Sequence, residues 1–174
     1  MRHASLRLAI PCALMAVTMG FANDPHQEPA PAPPVPSIVE ARHKAELLHT
    51  TMHATLQIVH HRYYREDEGL LLPAATLREV FSEIEREHNI QLRWLAVEGQ
   101  VMNADHAPRD DFEKAAAKAL EAGQDFHEQV LDGQLRRAAP ITLSNHCLKC
   151  HVPDRKNTDD RTAGLIISMA VSSP

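Results

Sequence analysis

The chain has 174 residues, a length that suits one folded domain with additional segments. Its 18 Lys and Arg stand against 23 Asp and Glu, so the formal net charge is −5 with histidine neutral. This sign excludes the usual nucleic-acid-binding protein, which needs a basic surface to displace counterions. We therefore expect no nucleic-acid partner.

The N-terminus has the pattern of an export signal. Arg2 and Arg7 give a positive start, and a short apolar run comes next. The run ends in Gly20-Phe21-Ala22, with small residues at the two positions that a signal peptidase reads. We expect residues 1–22 to be a signal peptide that is cleaved after about Ala22. The mature protein would then be periplasmic, with no transmembrane segment and a net charge of −7. Only the length of the run argues against an uncleaved anchor, which stays open as an alternative.

A Pro-rich linker over residues 23–37 comes next, and such a segment cannot build a core. The folded domain is predicted to cover residues 38–174. Ser37 followed by Glu40 has the pattern of a capping box, and it predicts the start of a long helix from about Ile38 to Arg65. Apolar residues recur along this helix at spacings of three and four, namely Leu48, Met52, Leu56, Val59 and Tyr63.

The rest of the chain mixes helices and strands. We predict a second helix from Pro73, a strand over 90–97, a short return strand over 100–103, a third helix over 108–122, a hairpin of strands 126–131 and 135–143, and a last strand over 165–171. Asp132-Gly133 is a strong hairpin turn signal. This order predicts an α+β domain with an antiparallel sheet.

The segment with the clearest chemistry is Cys147-Leu148-Lys149-Cys150-His151, because C-x-x-C-H is the attachment sequence of c-type haem. Two thiols three residues apart can add to the two vinyl groups of one porphyrin, and the next imidazole can reach the iron. We predict one covalent haem c on Cys147 and Cys150, with His151 as proximal ligand. An export signal supports this, because bacteria attach haem covalently outside the cytoplasm.

Three other interpretations of the Cys pair remain open. A zinc site usually takes four Cys or His ligands, and no second Cys pair exists, although the twelve histidines of the chain could supply two. A thioredoxin-type pair should open a helix after a strand, whereas Pro153 and a polar loop come after the pair here. A plain structural disulfide is the third.

The position of the motif bears on the class of cytochrome. Small class I cytochromes place it near the N-terminus and take a distal Met far downstream, whereas only Met169 comes after His151 here. The four-helix cytochromes c′ place it near the C-terminus, but on a helix that continues. Pro153 and the predicted hairpin disfavour that arrangement, so a cytochrome c′-like protein is a distant alternative.

Further segments of the second half carry a family resemblance. They are Asn103, Pro108, Phe112 and Glu113 around the start of the third helix, Arg136, Pro140 and Ile141 in the strand before the motif, and Gly164, Leu165 and Ile166 in the closing strand. With the C-x-x-C-H segment, they resemble the mono-haem cytochrome c domains with a PAS-like fold. The resemblance implies a long N-terminal helix, a PAS-like antiparallel sheet and the motif before the last strand. Ala104 and His106 depart from the family's usual Pro and Asn.

The sixth iron ligand has to come from elsewhere in the chain. The family's described member looks to use a cysteine at the end of the long helix; this mature chain has none there, and the corresponding place falls near His60. Four polar residues form a stripe along one flank of the helix, namely His49, His53, Gln57 and His60. We predict His60 as distal ligand, with His53 as runner-up and Met52, His146 or an open site as alternatives. His61 is expected in solvent.

Two cations are candidates for the haem propionates, because these carboxylates need cations or water. They are Arg136 and Arg93. A haem with two imidazole ligands has a low reduction potential and suits electron transfer with a redox partner protein. A periplasmic redox or gas sensor acting through a signalling partner is the alternative. We expect no enzyme, because a peroxidase needs an open distal site with an acid/base pair.

Overall fold

The structure, a computed structural model, describes residues 34–101 and 103–172. The predicted signal peptide and most of the predicted linker lie outside the described residues. The helices are α1 (Ile38–Tyr63), α2 (Pro73–His88), α3 (Asp111–Glu121) and α4 (Asn145–His151); the strands are β1 (Gln91–Leu95), β2 (His127–Leu131), β3 (Gln134–Leu143) and β4 (Arg161–Ala170). Single 3₁₀ turns lie at Glu66–Glu68 and Ala104–His106.

The start of α1 is fixed by the predicted capping box. The Ser37 hydroxyl accepts a hydrogen bond from the Glu40 backbone N–H at 3.3 Å, and the Glu40 carboxylate accepts one from the Ser37 N–H at 2.8 Å. Each partner therefore satisfies a helix donor that would otherwise have none. Ala41 and Ala45 on the next turn are fully buried, because their small side chains let the helix approach the sheet closely.

The four strands form one antiparallel sheet in the order β1-β4-β3-β2. A two-residue turn joins β2 to β3, and both Asp132 (φ 49°) and Gly133 (φ 71°) have the positive φ of a type I′ hairpin. The predicted α+β class with a long N-terminal helix and the motif before the last strand is confirmed, and the arrangement agrees with a PAS-like fold.

Helices cover both faces of the sheet, which explains the continuous apolar run of β4. Side chains of a strand alternate between faces. Leu165, Ile167 and Met169 join the core formed with α1 and α2, while Ile166 joins Phe112 and Leu120 of α3 on the other face. Each face contributes to stability by removing apolar surface from water, at about 25 cal/mol per Å².

Two sequence-based predictions are wrong. Residues 100, 101 and 103 form no strand; Gln100 instead donates its backbone N–H to the carbonyl of His151 at 3.2 Å. Tyr63 is 67% exposed rather than part of the buried face of α1, because the helix ends there. No helix among the described residues is long and apolar enough to cross a bilayer.

Candidate cofactor site

The C-x-x-C-H segment folds as the short helix α4. Leu148 is fully buried and fixes the rotation of this helix against the sheet. Cys147 and His151 are four residues apart and therefore lie on one face. The helix ends at His151, and Pro153 lies two residues later, where it prevents continuation. Both cysteines are free thiols.

A cleft lies against this helix, with about 660 Å³ of empty volume that is partly open to solvent. Cys147, Cys150 and His151 line one side, and His60 of α1 lines it as well. The apolar lining comes from α1, from the start of α2 and from the end of β3, with Leu56, Leu72, Pro73, Ala74 and Leu143. The structure thus brings together the predicted thiols, proximal histidine and first-choice distal histidine.

The remaining members of the polar stripe on α1 bind the edge of β3, and Gln57 among them also lines the cleft. The ring Nε2 of His49 lies 2.9 Å from the carbonyl oxygen of Pro140, His53 Nε2 accepts the Thr142 N–H at 3.3 Å, and Gln57 Nε2 donates to the Thr142 carbonyl at 2.7 Å. β2 pairs with β3 only as far as Ala138, so this stretch of β3 is a free edge. The three side chains therefore occupy the hydrogen-bonding positions of a missing strand.

This edge pairing explains why His60 differs from His53, the runner-up ligand. The Nε2 of His53 is used by the backbone of β3, and His53 does not line the cleft. His60 is the next member of the stripe beyond Gln57, past the positions that reach β3. Its ring packs against Tyr64, with centroids 4.9 Å apart. Met52, a further alternative, is buried in the core.

Burial favours the neutral form of the His60 and His151 imidazoles. Burial lowers the pKa of His151 below its usual value. Burial also lowers the pKa of His60, and the neighbouring charges of His146, His151 and His61 lower it further. Neutral imidazole is the form that binds metal ions. The site can therefore offer two imidazoles from different helices together with two thiols that can be alkylated.

Two further histidines lie near the cleft, and His146 lines it while His61 does not. His61 and His146 are both exposed, and their rings lie 5.7 Å apart in an edge-on arrangement. The expected exposure of His61 agrees with this position. Among the described residues, no group of three or more His, Cys, Asp or Glu side chains is arranged to hold a metal ion.

The structure does not bring Arg93 and Arg136 to the cleft. Arg93 Nη1 and Arg136 Nη2 instead donate to the two carboxylate oxygens of Glu113, at 2.9 and 3.4 Å, and Glu113 also accepts the backbone N–H of Arg109 at 2.6 Å. Glu113 is 3% exposed. The positions predicted to contact propionates therefore belong to a buried ion-pair cluster, in which Arg136 also lies over the Phe112 ring at 4.3 Å.

Sequence reasoning missed two side chains of this region. Tyr64 lies four residues after His60, and that spacing alone was a signal that their rings could meet. Leu72 and the start of α2 reach the cleft through tertiary packing, for which the sequence contains no local signal.

The fold and site define a small α+β domain with a cysteine-pair helix beside an apolar cleft. The sequence model of the family described as Tll0287-like matches residues 36–168. The chain belongs to this family, and the predicted family resemblance is confirmed.

A solved structure is similar to a large part of this chain. It is described as the crystal structure of the cyanobacterial heme-protein Tll0287, and it is 15% identical in sequence with a TM-score of 0.58. The match covers 75% of this chain and 95% of that chain. At this identity the likeness supports the fold. No curated protein is similar enough to this chain to count as a match.

Proposed function

We propose that this chain is an exported c-type cytochrome domain that binds one haem covalently and transfers electrons at low potential in the periplasm. The observation that carries the proposal is the cleft itself, where Cys147, Cys150, His151 and His60 meet against apolar walls. Membership of the Tll0287-like family and the likeness to a cyanobacterial haem protein support it.

The residues present fit a haem group. Cys147 and Cys150 supply two thiols at the spacing of thioether attachment, and His151 comes directly after them on the same short helix. The apolar lining from Leu56, Leu143 and the start of α2 would cover a hydrophobic ring and exclude water. His60 would be the second axial ligand. A haem with two imidazole ligands supplies one-electron exchange between ferric and ferrous iron.

The protein's own contribution is to hold these ligands before the cofactor arrives. Leu148 anchors α4 in the core, while the contacts of His49, His53 and Gln57 with β3 fix α1 along its length. His60 is thereby carried to the cleft on a rigid helix. Burial keeps its imidazole neutral and ready to bind iron, because it lowers the pKa of His60. Electrons would pass to a redox partner protein.

Covalent attachment is tested by expressing the chain with its export signal in a host that matures c-type cytochromes. The purified protein should be red, retain its pigment in acid acetone and give a pyridine haemochrome spectrum of thioether-linked haem. The Cys147→Ser/Cys150→Ser variant should lose the pigment on extraction. Colourless protein, or pigment extracted from the wild type, would refute the proposal. A matched variant, His88→Ala at the exposed end of α2, should keep its haem.

A second function, redox or gas sensing through a signalling partner, is favoured by one observation. α1 has 26 residues and is about 39 Å long, and it carries His60 near one end and Ile38, next to the linker, at the other. Loss of the His60 bond to iron would act directly on this helix. Hydrogen exchange along α1 should then differ between the ferric, ferrous and CO-treated forms. Equal exchange in all three would favour plain electron transfer.

A further inference from the structure

His151 lies between the cleft and a second cavity of about 540 Å³ of empty volume, also partly open to solvent. The two spaces share Leu56, Ala74, Leu143 and His151, so they meet beside the His151 side chain. Neither Cys147 nor Cys150 lines the second cavity. Its walls are mainly apolar, and its polar side chains besides His151 are Glu98, Gln100 and His106.

The loop that carries His106 is held by hydrogen bonds on both sides. The His106 N–H donates to the Asn103 carbonyl at 2.9 Å, and the His106 carbonyl accepts the Ala96 N–H at 2.8 Å. Arg93 Nη2 donates to the carbonyls on either side of His106, both at 2.6 Å. The imidazole of His106, by contrast, makes no hydrogen bond to any described residue. A fixed backbone thus presents a half-buried polar ring without a partner to the cavity.

The chemistry of haem indicates what this ring meets. The vinyl groups and the propionates belong to different edges of the porphyrin. When the vinyl edge is bonded to Cys147 and Cys150 and the iron to His151, the propionate edge extends beyond His151, away from the two cysteines. Resting on the proposed function, we propose that His106 donates a hydrogen bond to a haem propionate in the second cavity. This role replaces the one that the sequence suggested for Arg93 and Arg136.

The charges around His106 suit a carboxylate. Burial lowers the pKa of His106, and the positive charges of Arg78 and Arg93 and the neighbouring His151 lower it further, while Asp105 opposes them. A neutral imidazole still has one N–H to donate, and the two guanidinium groups favour an anion nearby. Glu98 is the adverse charge in this cavity, but its Oε2 is bound to the Thr162 N–H at 2.6 Å.

The test compares the wild type with His106→Leu, His106→Gln and a control, His127→Leu, whose ring packs on Phe112 outside both cavities. Haem content by pyridine haemochrome comes first, because a wild type without covalent haem would refute the proposed function itself. With haem present, resonance Raman spectra should show the propionate bending bands shifted in His106→Leu. Its reduction potential should fall, since a less compensated propionate charge favours ferric iron.

The Gln variant should restore much of both signals, because its amide also donates a hydrogen bond, and the His127 variant should match the wild type. Propionate bands and potential unchanged in His106→Leu, with haem intact, would overturn the proposal. So would an equal shift in the His127 variant, which would indicate a general effect on folding. If the reduction potential shifted while the propionate bands did not, His106 would act through His151 instead, and the proposal would also fail.

Discussion

Two polar clusters of this domain differ in whether their central side chains have hydrogen-bond partners within the protein. The Glu113 carboxylate, 3% exposed, receives Arg93, Arg136 and a backbone N–H. At the cleft, the imidazoles of His60 and His151 make no hydrogen bond to any described residue, although burial lowers the pKa of each. Buried polar groups are normally paired. The paired carboxylate therefore indicates a structural role, although Arg93 Nε of the same cluster is buried without a hydrogen-bond partner among the described residues. The half-buried imidazoles that face the cleft without a protein partner can instead bind a ligand.

The same contrast is visible along α1 alone. Its stripe of polar residues begins with His49 and His53, which bind the free edge of β3, and ends with His60, which reaches the cleft. Gln57 lies between them and does both, because it binds the Thr142 carbonyl and also lines the cleft.

The largest expected effect is a change of the haem spectrum in a protein that still folds. His60→Ala in the haem-loaded protein should convert the low-spin spectrum to a high-spin one and allow the ferrous form to bind CO at once, because a strong axial ligand is lost. Absorption spectra with and without CO measure this. His53→Ala is the matched control on the same stripe and should keep the low-spin spectrum. A low-spin spectrum that persists in His60→Ala would assign the sixth ligand to another residue.

A variant of the Glu113 cluster should lose stability and keep its haem spectrum. Glu113→Ala leaves two partly buried guanidinium groups without their carboxylate, and breaking such a network costs on the order of 3 kcal/mol of unfolding free energy. Urea denaturation measures the loss, and the haem spectrum of the folded fraction should be unchanged. A loss below about 1 kcal/mol, or an altered spectrum, would mean that the cluster and the cleft are not separate in role.

The edge contacts of α1 should contribute less. Gln57→Leu removes the hydrogen bond to the Thr142 carbonyl, and the expected loss of unfolding free energy is about 1 kcal/mol. Thr51→Ala, on an exposed position of the same helix, is a control that should stay close to wild type. Equal stability of the two variants would show that the edge of β3 does not depend on this side chain.

The smallest effect concerns pH in the haem-free protein. Burial lowers the pKa of His49 in the folded state from the usual 6.5, so the unfolded chain binds more protons below that pH. The unfolding free energy should therefore fall as the pH drops below about 6.5, and it should level off below the folded-state pKa. His49→Gln, which can still donate to the Pro140 carbonyl, should have a shallower slope. An identical slope in both proteins would contradict the sign of this shift.

Local patterns explain which parts of the fold and site were predictable. The capping box at Ser37, the Asp132-Gly133 hairpin and the C-x-x-C-H helix each depend on residues close in the chain. The hydrogen bonds from α1 to β3 join residues 85 to 91 positions apart, and they exist because β2 ends before β3 does. The sequence of α1 contains no pattern that would reveal this difference in length between the two strands.

The pairing of the two arginines with Glu113 could not be predicted from the sequence for a similar reason. Arg93 and Arg136 lie on strands that do not pair with each other, and both meet the buried Glu113 of α3. Sequence alone predicts free cations and free carboxylates but not which of them meet. The predicted return strand over 100–103 does not form, because its backbone and that of the residue after β1 have other partners. The Ala96 N–H donates to the His106 carbonyl, and the Gln100 N–H donates to the His151 carbonyl.

The central claim is that His151 and His60 bind the same haem iron. Low-temperature electron paramagnetic resonance of the ferric wild-type protein, exported and haem-loaded, tests it most directly. The account predicts a low-spin signal of the kind given by two axial imidazoles, which disappears in His60→Ala and persists in His53→Ala. A high-spin signal in the wild type, or a low-spin signal unaffected by the loss of His60, would contradict it.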